Sequence, residues 1–206
     1  VIKNFEKIIQ ECNSKWITYL SATSVYGDHQ GEWVDELSKT NPTSKNGLDR
    51  LASEKSWLTF TNKKKIPLQI FRLSGIYSKE RNILARLKSG NTNIIKKRNH
   101  FFSRIHVEDI ANILFKSLSN FKPSEIYNIS DDKPSFSEEV TLYGVNILDI
   151  DKPKTVEIKD IKSEMLKNFY KDSKKVSNKK MKSFFDYNLK FPTYIEGLNN
   201  IRNNLI

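Results

Sequence analysis

Apolar residues recur along this chain at two spacings. Ile2, Phe5, Ile9 and Cys12 fall on one helical stripe, which predicts an amphipathic helix over 1–12. The run from Trp16 to Ser21 reads as a strand that ends in small hydroxyl residues. A polar loop follows, carrying Asp28, His29, Glu32, Trp33, Asp35 and Glu36, and residues 42–47 are turn formers. Leu48, Leu51, Ala52 and Leu58 predict a helix reaching Phe60. Lys63, Lys64 and Lys65 close it where the helix dipole favours cations. Ile66 to Leu73 is largely apolar, as a strand buried in a parallel sheet is.

A short helix is predicted over Asn82–Lys88 and an extended piece over Asn93–Lys97. Asp109 is expected to cap a helix carrying Ile110, Ile113, Leu114 and Leu118 on one face. Glu125–Ile129 reads as a third strand. Ser135 with Glu138 has capping-box spacing and should open a helix running to Leu148. Thr193 with Glu196, just after Pro192, is a second box and opens a last helix through Leu198 and Ile201. Strands and helices alternate. The fold class is therefore α/β, with the three strands as parallel neighbours in one sheet. There is no internal repeat and no low-complexity linker.

The 206 residues suffice for one large domain or two small ones. No apolar run approaches the ~20 residues that span a bilayer, and no signal sequence is visible, so no membrane partner is expected. The single Cys12 excludes an internal disulfide framework and fits a reducing cytoplasm. Net charge is +11. The lysine runs lie in separate segments, without helix-turn-helix, zinc-finger or aromatic RNA-binding spacing. We read them as solvated faces and expect no specific nucleic-acid partner, although a phosphate-bearing substrate would welcome the field. His29 with Asp28, Glu32 and Asp35 fits no standard metal spacing, so no metal is expected. The chain opens at Val1 inside a predicted helix, and an N-terminal portion is expected to be missing.

Four motifs in order carry a resemblance. They are Ser21-Ala22-Thr23-Ser24-Val25-Tyr26-Gly27, Phe71-Arg72-Leu73-Ser74-Gly75-Ile76-Tyr77, Ser103-Arg104-Ile105-His106-Val107-Glu108-Asp109-Ile110-Ala111 and Glu125-Ile126-Tyr127-Asn128-Ile129. Together they resemble the extended short-chain dehydrogenases/reductases, the NAD-dependent epimerase/dehydratase family. A bacterial sugar-nucleotide epimerase-like subgroup is similar at Tyr26–Gly31. The resemblance implies the C-terminal part of a Rossmann-type parallel sheet, from 1–74 and 104–130. A small α/β substrate lobe would come from 75–103 and 131–206. It also implies NAD or NADP as cofactor and a nucleotide sugar, or a related hydroxylated metabolite, as substrate. The reaction would be hydride transfer at a carbinol carbon.

The chain departs from that pattern twice. The fingerprint Gly-x-x-Gly-x-x-Gly, which lets backbone approach a pyrophosphate, is absent. The family's catalytic Ser/Thr, Tyr and Lys correspond to Ala22, Asn46 and Arg50. Asn cannot act as an acid or base, and Arg is effectively never deprotonated. Thr23, reachable through a bulge, and Tyr26 are the substitute catalytic candidates. Arg50, Leu73, Ser74 and Gly75 are the expected cofactor contacts. Tyr26, Ile76, Tyr77 and Arg104 are the expected substrate contacts. For Arg104 the alternative is an ion pair with Glu108 or Asp109, and for His106 a structural role. A literal Tyr-x-x-x-Lys at Tyr170 and Lys174 lies about 140 residues too late for the family and is read as coincidence. A non-catalytic binding protein on the same scaffold stays open as the alternative.

Overall fold

The computed structural model describes residues 2–90 and 92–204. Helix α1 (Ile2–Glu11) leads into β1 (Ile17–Ala22), a 3-10 turn at Thr23–Tyr26 and β2 (Trp33–Val34). Then come α2 (Lys45–Lys64), β3 (Leu68–Leu73), β4 (Gly75–Tyr77), α3 (Ile83–Lys88), β5 (Ile94–Lys96), β6 (Phe101–Phe102) and β7 (Arg104–His106). The remainder is α4 (Val107–Ser117), β8 (Glu125–Ile129), β9 (Ser135–Phe136), α5 (Ser137–Leu148), β10 (Thr155–Glu157), α6 (Glu164–Phe169), β11 (Lys175–Val176), α7 (Lys179–Phe185) and α8 (Tyr194–Asn203). Val1, placed by the sequence in the first helix, lies outside the described residues.

The three expected strands do form one parallel sheet, in the order β1-β3-β8. Leu20 stands opposite Phe71, and Phe71 opposite Tyr127. All six residues of β3 are buried, as befits a central strand covered on both faces. Among the described residues β1 pairs only with β3 and forms an edge. The shorter strands pair in twos: β2 with β11, β4 with β7 and β5 with β10 in parallel, and β6 with β9 antiparallel.

Alternation along β3 sends Phe71 and Leu73 to one face, where they meet Ile110 and Ile113 of α4 and Met181 and Phe185 of α7. The Phe71 ring centroid lies 5.7 Å from that of Phe185 and 5.9 Å from that of Tyr127. Burying each such side chain stabilises by roughly 1.5–3 kcal/mol. A second core of Tyr77, Leu84, Val140, Tyr194, Leu198 and Ile201 joins α3, α5 and α8.

The opposite face of β3 is polar toward its C-terminal end. Arg72 forms a two-pronged pair with Glu54 of α2, Nε to Oε1 at 3.1 Å and Nη2 to Oε2 at 2.8 Å. Ser21 of β1 donates to the same Oε1 at 2.6 Å. Both charged side chains are at most 5% exposed. The Arg72 guanidinium also lies 4.9 Å from the Tyr26 ring centroid, and Tyr26 Oη donates to Asn128 of β8 at 2.8 Å.

Several elements differ from the sequence reading. Helix α2 starts at Lys45, inside the expected turn, because the Ser44 side chain caps it by accepting from Gly47 N. Its inward face is Gly47, Glu54, Phe60 and Thr61, while Leu48 is 55% exposed. Asp109 does not cap α4. His106 does, its Nδ1 accepting from Glu108 N at 3.2 Å. Asp109 lies in the first turn and is buried, accepting from Tyr187 Oη, Lys190 N and Phe191 N. Its carboxylate thus docks the C-terminal segment onto α4. Leu118 falls at the end of α4 and is exposed. Ser135 does not form a capping box, because it belongs to β9 and donates to Lys133 O. The Thr193–Glu196 box is present as predicted.

Just past β8, Asp131 is 1% exposed, and neither carboxylate oxygen has a partner among the described residues. Burial pushes its pKa up to about 8, against the opposing charge of Arg104.

Two outcomes are expected. Glu54→Gln strands a buried guanidinium and should cost about 3–5 kcal/mol in urea unfolding. The double change Glu54→Leu with Arg72→Met should cost much less than the single one. For Asp131 the folded state holds its proton to about pH 8, where an ordinary Asp loses it near about 3.9. Its raised pKa therefore leaves stability intact at low pH and erodes it as pH rises towards 8. Asp131→Asn should raise thermal stability at pH 8.5 by of order 2 kcal/mol and leave it nearly unchanged at pH 4.5, which calorimetry at the two pH values would measure.

Candidate functional site

An open cleft of about 1970 Å³ runs along α2, past the C-terminal ends of β1 and β3, to the 170s segment. Strand β1 delivers Ala22 in extended geometry, and the chain turns at once into the 3-10 turn. Strict alternation ends there, so Ala22, Thr23 and Ser24 all line the cleft without the bulge the sequence led us to expect. Gly27 closes the turn at φ 72°, and a Cβ there would lie 1.8 Å from the carbonyl oxygen of Asn41. On the facing helix, a Cβ at Gly47 would lie 2.7 Å from the Ser24 carbonyl oxygen. Gly47 thus sets the distance between the 3-10 turn and α2, and Gly27 the approach of that turn to the loop before the helix.

Asn46 and Arg50 stand one turn apart on α2, and both line the cleft. Arg50 Nη1 donates to the Leu20 carbonyl at 3.1 Å. The end of β3 brings Leu73, Ser74 and Gly75 to the same wall. Ser74 N donates to Ile129 O and Gly75 N to Ser103 O, each at 3.0 Å. The Ser74 hydroxyl has no partner among the described residues. A Cβ on Gly75 would lie 2.4 Å from the Phe102 ring, so only glycine lets that ring cover the strand end.

The other expected residues do not line this cleft. Tyr26 is fully buried, with its hydroxyl on Asn128 and its ring under Arg72. Burial raises its pKa, which Arg72 opposes. Ile76 is 44% exposed away from the cleft. Tyr77 is buried, packed edge-on to His106 with ring centroids 5.0 Å apart. Burial raises its pKa too. Arg104 is tied to backbone, Nη1 donating to Phe102 O at 3.0 Å and Ser135 O at 3.4 Å, rather than to Glu108 or Asp109. Arg72 is a structural partner of Glu54.

The sequence reading missed the far wall. Phe101, Phe102 and Ser103 enter it from one segment, and Phe169, Asp172 and Lys174 from another. Lys174 Nζ donates to the Gly27 carbonyl at 2.8 Å and lies 3.8 Å from Asp172. Tyr170, its companion in the literal Tyr-x-x-x-Lys, is buried elsewhere. No spacing rule connects residues so far apart in the chain.

Known proteins supply the context. A model of the NAD dependent epimerase/dehydratase family matches residues 4–130. No match is found among curated proteins. A functionally unknown conserved protein from Silicibacter pomeroyi is similar at 35% identity and a TM-score of 0.92, over 99% of this chain and 72% of that one. A dTDP-glucose 4,6-dehydratase from Bacillus anthracis, solved in complex with NAD, is 18% identical with a TM-score of 0.77, over 95% of this chain and 63% of that one. A UDP-glucose 4-epimerase from Thermotoga maritima, solved with UDP-glucose, is 16% identical with a TM-score of 0.79, over 97% and 67%. The last two likenesses speak for the fold alone. From the family match and the 35% identical relative, the chain belongs to the NAD dependent epimerase/dehydratase family.

Proposed function

We propose that the cleft takes the nicotinamide end of NAD or NADP against β1 and β3, with a nucleotide sugar or related hydroxylated metabolite beside it. The observation that carries this reading is convergence. Ala22, Thr23, Asn46 and Arg50 meet Leu73, Ser74 and Gly75 in one cleft at the carboxyl ends of parallel strands. Ligands of open α/β sheets bind at such strand ends. The residues fit the cofactor. Arg50 offers guanidinium donors beside the strand end, and the backbone of Leu73, Ser74 and Gly75 lines the same wall. Bound there, the cofactor would exchange hydride with a carbinol carbon. Thr23 and Ser24 offer hydroxyls to orient that substrate, and the aromatic wall of Phe101, Phe102 and Phe169 excludes water from one side. The lone Cys12 supports a cytoplasmic setting.

A second reading is favoured by one observation. None of Ala22, Asn46 and Arg50 exchanges a proton near neutral pH, so the scaffold would bind its ligands without turning them over.

The test uses the protein as its gene encodes it. NADH or NADPH titration should saturate. Arg50→Glu, an exposed change expected to shift stability by no more than about 0.5 kcal/mol, should weaken binding at least about tenfold. Unaltered affinity would remove Arg50 from the site. Slow nicotinamide reduction on addition of UDP-glucose supports the oxidoreductase reading. Binding without reduction supports the second reading, under which Ala22→Ser, Asn46→Tyr and Arg50→Lys together should raise turnover by about 10²–10⁴-fold.

A further inference from the structure

We propose that Lys174 is the proton-exchanging group of the cleft, taking the hydroxyl proton that the family's Tyr takes elsewhere. The inference rests on the oxidoreductase reading above. Lys174 enters the cleft from the wall opposite α2. Its segment is fixed along its length. Ser173 N donates to Asp28 Oδ1 at 2.8 Å, Ser173 Oγ to Asn99 O at 2.7 Å and Lys175 N to Glu32 O at 2.9 Å. The ammonium therefore reaches the 3-10 turn on a rigid support, with its side chain 12% exposed. One N–H is held by the Gly27 carbonyl and one faces Asp172, whose carboxylate is itself bound by the Thr43 hydroxyl. A third proton position remains for a ligand.

Most other groups on the cleft wall suit the task less; the Tyr19 phenol and the Asp49 carboxylate, on the same wall, are the competing candidates. Arg50 and Arg81 do not give up protons near neutral pH. The hydroxyls of Thr23, Ser24 and Ser74 need a base to activate them. Lys45, Lys55 and Lys63 are exposed, with no fixed geometry toward the strand ends. Burial lowers the pKa of Lys174, while Asp172 and Asp28 oppose that shift. His100, the other titratable neighbour, is kept neutral, its pKa lowered to about 4 by burial and by Lys97 and Lys174. A desolvated lysine of this kind is a suitable general base.

In the forward step the neutral Nζ lone pair takes the hydroxyl proton and the O–H bond breaks. An oxidised nicotinamide, when bound, would accept the C–H pair as hydride, and the carbon–oxygen double bond would form as Lys174 holds the proton. The ammonium returns its proton when the carbonyl is reduced, or loses it to solvent at the open mouth of the cleft.

The test has one arm that needs no turnover. Trace acetylation of the unmodified protein across pH, read by mass spectrometry, should show the Lys174 amine titrating below the ordinary lysine value. UDP-glucose with NAD should slow its labelling at least tenfold. In the second arm, Lys174→Arg keeps the charge but cannot deprotonate. It should retain NADH affinity, lose about 10²–10⁴-fold in rate and lose the rising limb of the pH–rate profile. Asn46→Tyr with Arg50→Lys should restore rate in that background. If UDP-glucose binds and leaves Lys174 labelling unchanged, or Lys174→Arg keeps the parent's rate and pH profile, the assignment is overturned and the nucleotide-sugar reading stands. If neither NADH nor UDP-glucose binds, both fall together.

Discussion

A carboxylate and a guanidinium, almost stripped of water, join a helix and two strands of the sheet. Glu54 comes from the middle of α2, Arg72 from the central strand, and Ser21 from the edge strand. Each would be costly to bury alone, and breaking such a pair is expensive even where a hydrophobic replacement is not. The pair therefore fixes the rotation of α2 about its axis. With Glu54 pointing at the sheet, Asn46 and Arg50 must face along the strand ends. The same guanidinium covers Tyr26, and Tyr26 reaches Asn128, so the arrangement extends across the whole sheet. Asn128 N in turn donates to Glu36 at 2.7 Å, and burial raises the Glu36 pKa.

That polar cluster explains why parts of the fold were legible in the sequence and others were not. The central strand showed itself as an apolar run, because a parallel strand buried on both faces has no polar alternation to hide it. The last helix was marked by a capping box formed by neighbouring residues. By contrast, α2 turns inward a glutamate, two threonine-sized or smaller residues and one aromatic, and leaves Leu48 in solvent. Hydrophobic periodicity reads such a helix on the wrong face. Asp109 and Ser135 had the right local spacing for caps, but long-range partners claimed them, the C-terminal segment for Asp109 and strand pairing for Ser135.

The site divided the same way. One wall is built from three short segments, and seven residues singled out by the resemblance line it. Tyr26, Tyr77 and Arg104 stand in those same motifs yet turn into the protein, since a motif fixes chain position and not the direction of a side chain. The opposite wall could not be read, because Phe102 and Lys174 approach each other only through the folding of a second set of short strands.

Gly27 and Gly47 have no chemistry of their own, yet each occupies a place where one added carbon would strike a carbonyl group. The seating of the turn after β1 on the loop and first turn of α2 is consequently written in residues where an added carbon would clash, while the reactive positions near them line open space. Ala22, Asn46 and Arg50 are what such freedom looks like. Proteins that share this architecture but have changed their reaction should be sorted by the two glycines first and by the reactive side chains second.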